Sequence, residues 1–397
     1  AWRAESPDLR VYAFAPDNAA LLAGLGVWEN IRATRAQAYR RMRVWDAAGG
    51  GELCFDADAF GRQALGHIVE HALLVDRLWA ACVAEAGIHR HCPDKLESIE
   101  QQDDLAAVWL ASGTVLHARL VLGADGAASK VRACAGLDAD SHDYGQRGLV
   151  AYVGTQRPHE DTAWQRFLPT GPLAFLPCAD GRCSIVWSLP ADEAQRLLDA
   201  DEEPFRRELT RAFDARLGEV VSVSARAAFP LRRQLASAQV AGRIVLAGDA
   251  AHVVHPLAGQ GVNLGLRDVA ALRASWQQAL ARGSDFASPH RLARWARGNG
   301  RRLFAFIVLG DQALRVDMAE KLILAAHDRR GQTATFAIDP ARLDVGFFSR
   351  MTLTSSVLLS SSPHRWGCMP YLRRRWRATA ESTSPRRQRR LFDRKPA

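Results

Sequence analysis

The 397-residue chain lacks the features of a membrane-spanning, disulfide-rich or zinc-binding protein. Its longest uninterrupted apolar run, residues 303–309, is much shorter than the roughly 20 residues that a transmembrane helix needs. The seven cysteines are scattered, and Cys178 and Cys183 stand together without a second cysteine pair or a nearby histidine. No signal peptide is recognisable, and the start at Ala1 rather than methionine indicates a fragment or a processed product. These absences predict a cytoplasmic protein with no disulfide framework and no zinc site.

The net positive charge is confined to one end of the chain. The formal charge is +9, and residues 365–397 hold eleven lysines and arginines against two acidic residues. Residues 1–364 are therefore formally neutral. We interpret the basic end as a solvated, disordered tail with no specific nucleic-acid site, because few aromatic residues are interleaved with its cations. The alternative is a binding protein that uses the tail on nucleic acid or an anionic membrane, with strong salt dependence.

Alternating hydrophobic patterns predict strands in two regions. Residues 9–14 and 95–122 carry strand patterns, the second with a turn at Ser112-Gly113. From residue 144 to residue 230, short strand patterns recur between turns, with one helical stretch at residues 192–217. This middle region is therefore expected to form an antiparallel sheet inserted between two halves of a nucleotide-binding domain.

Helical periodicity indicates further helices on both sides of the middle region. They are predicted at residues 17–31, 68–83, 268–282 and 290–302. The 48% hydrophobic content supports a sizeable core shared by two to three domains or layers. The periodicity weakens after Leu303, and low order is predicted beyond Lys321.

The most informative stretch is residues 241–270, where a strand, a sharp turn and a glycine-rich loop follow one another. The apolar run of residues 243–247 predicts a buried strand, and the turn after it carries one carboxylate, Asp249. Residues 256–261 then form a loop with two glycines that opens into a helical pattern. Such a loop offers free backbone N–H groups and the positive end of a helix dipole, which suit a phosphate or an electron-rich ligand edge. Asp249 could accept hydrogen bonds from a polyol such as ribitol, whereas the alternative is a turn whose glycines only allow tight packing.

A second strand–glycine–helix junction lies at residues 123–132. Asp125-Gly126 follow a buried apolar strand there, and residues 129–132 begin a helix. The carboxylate of Asp125 is expected to pair with a nearby arginine and to shape a nucleotide pyrophosphate groove. The alternative is a plain Asp-Gly turn.

These pieces together resemble the FAD-dependent group A aromatic hydroxylases. The resemblance rests on the GADG junction, the antiparallel middle region and the motif that runs from GDAAH through HPLAGQG to VNLGLRD. It is closest to the ubiquinone-biosynthesis hydroxylase family, whose Asp-x-Arg stretch and following helix are similar to residues 7–28. Residues 167–187, with GPLAFLP and DGRCSIVW, resemble the middle domain of the 2-polyprenyl-6-methoxyphenol hydroxylases in particular. The similarity covers roughly residues 5–302.

The resemblance implies an α/β (mixed α+β) fold, in which a Rossmann-like FAD-binding domain carries an inserted antiparallel-sheet substrate domain. The FAD-binding domain is expected to comprise residues 1–143 and 231–302, and the substrate domain residues 144–230. Residues 303–364 form a C-terminal region of unassigned fold, and residues 365–397 form the basic tail. The family's G-x-G-x-x-G turn, which cradles the pyrophosphate, is not found. The FAD-binding domain is therefore expected to be incomplete at its N-terminus, and FAD binding to be weak or absent.

The resemblance also implies which residues hold the cofactor. Asp249 is expected to contact the ribityl chain of FAD, Arg10 its phosphate or adenosine side, and Asp125 to support the site. The isoalloxazine ring is expected to be lined by the glycine-rich loop and the start of the next helix, namely Pro256, Leu257, Ala258, Gly259, Gln260, Gly261, Val262 and Asn263. His252 and His255 lie in the same motif and are interpreted as structural histidines, with proton transfer as the alternative.

The activity implied is hydroxylation of a polyprenylated phenol in ubiquinone biosynthesis, with FAD as cofactor, NAD(P)H as reductant and O2 as oxidant. No catalytic triad or metal-ligand cluster is recognisable, and the chemistry implied needs neither. Phe175, Leu176 and Trp187 are candidate walls of the substrate site, with ordinary core packing as the alternative. A prenylated substrate implies peripheral contact with the inner face of a membrane and association with other ubiquinone-biosynthesis enzymes. The alternatives are another FAD-dependent aromatic hydroxylase or reductase of the same fold, and a non-catalytic remnant.

Overall fold

The computed structural model describes residues 2–3, 5, 7–49, 51–255 and 260–300, together with the backbone of residues 322–327 and 333–338. The helices are α1 (Pro16–Ala23), α2 (Trp28–Arg35), α3 (His71–Ala84), α4 (Lys130–Cys134), α5 (Ala191–Asp199), α6 (Glu202–Ala212), α7 (Gln260–Ala281) and α8 (residues 289–300). Short 3-10 turns occur at Asp58–Phe60 and Gly248–Ala250. No described helix is both long enough and apolar enough to cross a membrane.

The strands belong to one large sheet and several small ones. In the first third of the chain they are β1 (Val11–Phe14), β2 (Gln37–Tyr39), β3 (Arg41–Asp46), β4 (Glu52–Asp56), β5 (Gly66–Glu70), β6 (Leu96–Gln101), β7 (Ala106–Leu110), β8 (Val115–Ala118) and β9 (Val121–Gly123). After these come β10 (Ala139–Thr155), β11 (Thr162–Leu168), β12 (Gly171–Pro177), β13 (Cys183–Pro190), β14 (Val220–Val223), β15 (Ala227–Ala236), β16 (Val240–Ala241), β17 (Ile244–Leu246) and β18 (His252–Val253). The last two described strands, β19 (Leu322–His327) and β20 (Thr333–Ile338), pair with each other.

The large sheet has nine strands in the order β18-β15-β10-β13-β12-β11-β3-β4, with β14 paired to β10. Its pairs are antiparallel except for β11 and β3, which run parallel with Thr162 opposite Arg41. The antiparallel middle region predicted from the sequence is thus present, and it recruits β3 and β4 from the first third of the chain. The placement of domain boundaries at residues 143, 230 and 302 stays a prediction.

One face of the large sheet is buried against α5 and α6. Alternate residues of the central strands point to this face, as expected for a period of two. Phe213, just after α6, stacks on Phe175 with ring centres 3.7 Å apart, and Trp45 and Trp164 meet its ring edge-on. This aromatic cluster forms the largest core of the described residues and gives the sheet a rigid backing.

The N-terminal part of the chain forms a three-stranded sheet, β1-β5-β2, packed against α1, α2 and α3. The helix predicted at residues 17–31 is two helices, because the chain turns at Gly24 and at Gly26, whose φ is +74°. The helix predicted at residues 68–83 begins only at His71. Residues 66–70 form β5 instead, because they pair with strands on both sides, and such pairing overrides local helical periodicity.

A small sheet, β16-β17-β9, carries the two junctions that the sequence analysis singled out. β9 and β17 run parallel. β6, β7 and β8 form an antiparallel meander that precedes β9 in the chain. The strands and the turn at Ser112-Gly113 predicted for residues 95–122 are therefore confirmed. β17 and α7 follow one another as the motif of residues 241–270 predicts.

The aromatic cluster predicts a large stability cost when its central ring is removed. We expect Phe213→Ala to lower the free energy of unfolding by about 3–5 kcal/mol, because the side chain is 2% exposed and its loss leaves a cavity. Leu280→Ala is the matched control, since that side chain is 67% exposed on α7, and should change the same quantity by less than about 1 kcal/mol. Urea unfolding of both variants measures the difference, and equal values would contradict the assignment of this core.

Candidate functional site

Two strand ends meet at one edge of the small parallel sheet. β9 and β17 are adjacent, with Gly123 paired to Leu246, and the backbone N–H of Ala247 donates to the Gly123 carbonyl at 2.9 Å. The chain therefore leaves both strands at the same edge, through Asp125 after β9 and Asp249 after β17. Ligands of open α/β sheets bind beyond the carboxyl ends of parallel strands. The structure thus brings together the two junctions that the sequence separates by more than a hundred residues.

The turn after β17 packs closely against α7 through two glycines. Gly248 has a φ of +59°, a conformation that favours glycine. A Cβ added to Gly265 on α7 would lie only 3.1 Å from the Cα of Gly248. A side chain on Gly265 would push the helix away from the turn, whereas one on Gly248 would be strained by the positive φ. The close approach therefore places Asp249 beside the first turns of a 22-residue helix.

Asp249 lies in a cleft. Its side chain is exposed to solvent, and it makes no hydrogen bond or salt bridge with any other described residue. Nevertheless, desolvation by the surrounding protein raises the pKa of its carboxyl above the usual 3.8, against the opposing charges of His252, Arg10 and Arg232. A carboxylate that is both exposed and surrounded by protein occupies a concave surface. Its oxygens are available to accept hydrogen bonds from the hydroxyl groups of a ligand.

Arg10 shares this cleft with several aromatic side chains. Its guanidinium carbon stands 5.5 Å from the centre of the Phe229 ring, which is 42% exposed. Tyr12 lies in β1, two residues after Arg10, and its hydroxyl shares a hydrogen bond of 2.9 Å with Nδ1 of His71. Burial raises the pKa of the Tyr12 phenol, and burial together with the Arg10 charge lowers the pKa of the His71 imidazole. The cleft is thus bounded by cations, aromatic rings and the imidazole of His71.

Asp268 on α7 binds the turn from the opposite side. One carboxylate oxygen, Oδ2, accepts hydrogen bonds from the backbone N–H of Gly248 at 3.0 Å and from Nε2 of His252 at 2.6 Å. The other oxygen, Oδ1, accepts one from the side-chain amide of Asn299 at 3.2 Å. Asp268 is only 6% exposed, and His252 is buried beside it. His252 is therefore part of the framework of the site, in agreement with its structural interpretation.

The start of α7 is tied to the N-terminal sheet. Asn263 is 1% exposed, and its carboxamide accepts the N–H of Ala15 at 2.9 Å and donates to the carbonyl of Ala13 at 2.7 Å. Asn18 also donates to its Oδ1 at 2.6 Å. Val262 packs partly against the same N-terminal core. Both residues therefore position the helix in this structure, and their predicted contact with an isoalloxazine ring stays a prediction.

The glycine-rich loop itself is only partly described. Pro256, Leu257, Ala258 and Gly259 lie outside the described residues, as does the side chain of Gln260. Their predicted role as the lining of a flavin ring stays a prediction. Gly261 is described, and a Cβ placed on it would meet no described neighbour within 4 Å. The described residues therefore leave the backbone at the helix start accessible to a ligand.

Asp125 differs from its expected arrangement. Its carboxylate does not pair with an arginine, because it caps α4 by accepting the hydroxyl of Ser129 at 2.5 Å and the N–H of Val131 at 3.0 Å. The nearby Arg132 donates instead to the carbonyls of Ala250, at 2.8 Å, and Ala127, at 2.9 Å. Asp125 thus supports the site indirectly, since the helix that it caps carries the arginine that binds the Asp249 turn.

The candidate substrate walls also differ from their first interpretation. Phe175 and Trp187 belong to the buried core against α5 and α6, so the alternative of ordinary packing is the correct one for both. Leu176 follows Phe175 in β12 and points to the other face of the sheet, where it is partly buried.

His255 is buried, and its ring meets the edge of the Tyr144 ring with ring centres 5.1 Å apart.

Sequence reasoning missed several residues of the cleft and one buried residue that supports it. Those of the cleft are Tyr12, His71, Phe229 and Arg232, and the buried one is Asp268. One of them carried a usable signal: Asp268 stands seven residues after Gly261 and three after Gly265, a spacing that places all three on one face of a helix. The others come from strands and helices distant in sequence, and only the packing of β1, α3 and β15 around the turn brings them near Asp249.

The groups of this cleft fit a flavin nucleotide. Asp249 offers free acceptor oxygens for the ribityl hydroxyls, and Arg10 and Arg232 supply positive charge for phosphate groups. The N-terminal end of α7 offers a favourable dipole for a phosphate or another electron-rich group. Among the described residues, none lies within 4 Å of a Cβ placed on Gly261, so they leave room for a flat ring to approach the backbone there.

Comparisons with known proteins agree with this assignment. The family model described as FAD binding domain matches residues 10–289. The chain is 38% identical over 289 residues to the 3-demethoxyubiquinol 3-hydroxylase of Escherichia coli strain K12, covering 73% of each chain. It is 31% identical over 390 residues to the mitochondrial ubiquinone biosynthesis monooxygenase COQ6 of Xenopus tropicalis, covering 86% of this chain and 82% of that protein.

A solved structure supports the fold. PqsL of Pseudomonas aeruginosa, described as a probable FAD-dependent monooxygenase, superposes with a TM-score of 0.67 at 22% identity, covering 79% of this chain and 87% of that chain. At this identity the likeness concerns the fold alone. The family match and the sequence relatives go further: this chain belongs to the ubiquinone hydroxylase family of FAD-dependent aromatic monooxygenases.

Proposed function

We propose that this protein hydroxylates the aromatic ring of a prenylated phenol in ubiquinone biosynthesis. The observation that carries the proposal is the solvent-exposed Asp249 carboxylate, which stands near the charges of Arg10 and Arg232 without a hydrogen-bond partner among the described residues. The two relatives named above, a demethoxyubiquinol hydroxylase and a ubiquinone biosynthesis monooxygenase, support the substrate class. When bound, FAD would supply the redox chemistry, by which two electrons from NAD(P)H reduce O2 so that one oxygen atom enters the ring and the other leaves as water.

The residues of the cleft would bind and orient the reactants. Asp249 would accept hydrogen bonds from the ribityl hydroxyls, and Arg10 with Arg232 would neutralise the phosphates. The glycine-rich loop, which includes Gly261, would face the flavin ring. Phe229 is an exposed aromatic ring at the edge of the large sheet and is suited to contact the phenol ring. Exclusion of water from this cleft would protect the oxygen-transferring form of the cofactor.

The prenyl tail extends the proposal to the membrane surface. An apolar substrate of this kind partitions into a bilayer, so the protein would reach it by peripheral contact and would work beside other enzymes that act on the same substrate. We expect the protein to co-sediment with vesicles that contain a prenylated phenol more than with vesicles of the same phospholipids alone. Equal recovery with both kinds of vesicle would contradict this extension.

The activity can be measured directly. We expect purified protein with FAD, NAD(P)H and isotopically labelled O2 to convert a short-chain prenylated phenol to a product that carries one labelled oxygen atom. Mass spectrometry of the product distinguishes the alternatives. Consumption of NAD(P)H without a labelled product would indicate a reductase, and labelling only of a phenol without a prenyl chain would indicate a different aromatic hydroxylase. Either result would overturn the proposed substrate.

Asp249 should control cofactor affinity. We expect Asp249→Asn to raise the dissociation constant for FAD by about ten- to a hundredfold, because hydrogen bonds to a charged acceptor are the stronger kind. Quenching of flavin fluorescence measures the constant. Asp192→Asn is the matched control, since Asp192 is an exposed carboxylate in the first turn of α5, the helix that covers the aromatic core of the large sheet.

The pH dependence of the same constant provides a second readout. Affinity for FAD should be constant at high pH and fall as the pH drops through the pKa of Asp249, because protonation competes with the ligand's hydroxyl groups. Since desolvation raises that pKa above 3.8, the fall should begin at a higher pH than for an ordinary aspartate. Asp249→Asn should lose this dependence, and an unchanged profile in the variant would show that another group is responsible.

A further inference from the structure

A buried carboxylate with three donors joins α7 to the Gly248 turn, to β18 and to α8. Asp268 accepts from Gly248 in the turn, from His252 in β18 and from Asn299 in α8. An aspartate that is 6% exposed is rare unless its oxygens are satisfied, and here both oxygens are. None of these contacts is with a solvent-exposed side chain. The carboxylate is therefore part of the internal framework of the site.

His252 connects this carboxylate to the large sheet. Its backbone pairs with Leu235 of β15, so β18 forms the outer strand of that sheet. Its ring points to α7, where Nε2 contacts the carboxylate of Asp268. Because an ionised carboxylate only accepts hydrogen bonds, Nε2 must carry the hydrogen. The second ring nitrogen, Nδ1, is buried and has no partner among the described residues.

The turn that carries Asp249 depends on these bonds. Gly248 adopts a positive φ, and its N–H is satisfied by Asp268. Without that acceptor, the N–H faces α7 with no hydrogen-bond partner there. This costs free energy, which a movement of the turn away from the helix would relieve. Asp249 is the next residue, so its carboxylate would move with the turn. The position of a ribityl acceptor is thus set by a residue that does not itself reach the cleft.

We propose that Asp268 is the positioning residue of the flavin site and that His252 acts through it by donating from Nε2. The pair holds the Gly248–Ala250 turn so that Asp249 faces the cleft, and it couples this turn to the large sheet through β18. The consequence for FAD affinity rests on the proposed function. The consequence for the turn does not, because it concerns only the protein's own hydrogen bonds.

Hydrogen–deuterium exchange tests the turn in the full chain without cofactor. We expect Asp268→Leu to speed amide exchange in peptides that contain Gly248 by at least about tenfold, because leucine offers no acceptor for the N–H of Gly248. Arg267→Gln is the matched control on the same helix. Arg267 pairs with Asp17 at 2.7 Å on the protein surface, and its loss should leave exchange at Gly248 unchanged. Unchanged exchange in Asp268→Leu would overturn the proposal.

Three substitutions of His252 identify the working nitrogen. The amide nitrogen of glutamine can stand near Nε2, whereas that of asparagine stands nearer Nδ1. We expect His252→Gln to keep slow exchange at Gly248 and FAD affinity within about threefold of the original, and His252→Asn and His252→Leu to lose both by about tenfold or more. Retention in His252→Asn with loss in His252→Gln would overturn the proposal, because it would assign the role to Nδ1.

Failure of the proposed function and failure of the positioning role give different results. If the unsubstituted protein binds no FAD, the proposed function fails, while the exchange data on Gly248 still decide whether Asp268 and His252 hold the turn. If the protein binds FAD and the Asp268 and His252 variants bind it equally well, the proposed function stands and the positioning role is refuted. Thermal unfolding of each variant confirms that it remains folded during both measurements.

Discussion

The packing of the Gly248 turn against α7 is the contact on which the site depends. Two glycines, Gly248 and Gly265, let the backbones approach so closely that a single added Cβ would meet a Cα at 3.1 Å. The N–H of Gly248 needs an acceptor in this contact, and the carboxylate of Asp268 accepts it. Because the backbone contact and the hydrogen bond occur on the same face of α7, the turn has one position, and Asp249 is presented to the cleft.

The two sheets have different tasks around this contact. The small parallel sheet places the ends of β9 and β17 at one edge, where its helices start and where a phosphate-bearing ligand is favoured. The large sheet is backed by the aromatic core around Phe213, and its strand β15 carries Phe229, which lies under the Arg10 guanidinium, and Arg232, whose charge acts on Asp249. A rigid backing matters because side chains of a binding cleft are placed accurately only when the elements that carry them are held.

Part of this arrangement was predictable from local pattern. The strand, turn and helix of residues 241–270 follow from an apolar run, a glycine and helical spacing, each of which acts over a few residues. The meander of residues 95–122 follows for the same reason. By contrast, Ile68 and Val69 fit a helical pattern but form the middle of a sheet, because β1 and β2 supply hydrogen bonds on both sides. The pairing of β3 with β11 joins segments more than a hundred residues apart, and no local pattern indicates it.

By itself, the sequence determined the family, the fold class and the position of Asp249 after a buried strand, because motif spacing and hydrophobic period are local properties of a chain. Only the tertiary structure decided what each carboxylate does. Asp125 caps α4, Asp249 faces the cleft, and Asp268 is buried with three donors. The reason is physical: the role of an ionised group is set by the donors and the solvent around it, and those neighbours come from β1, β18 and α8, which meet only in the folded chain.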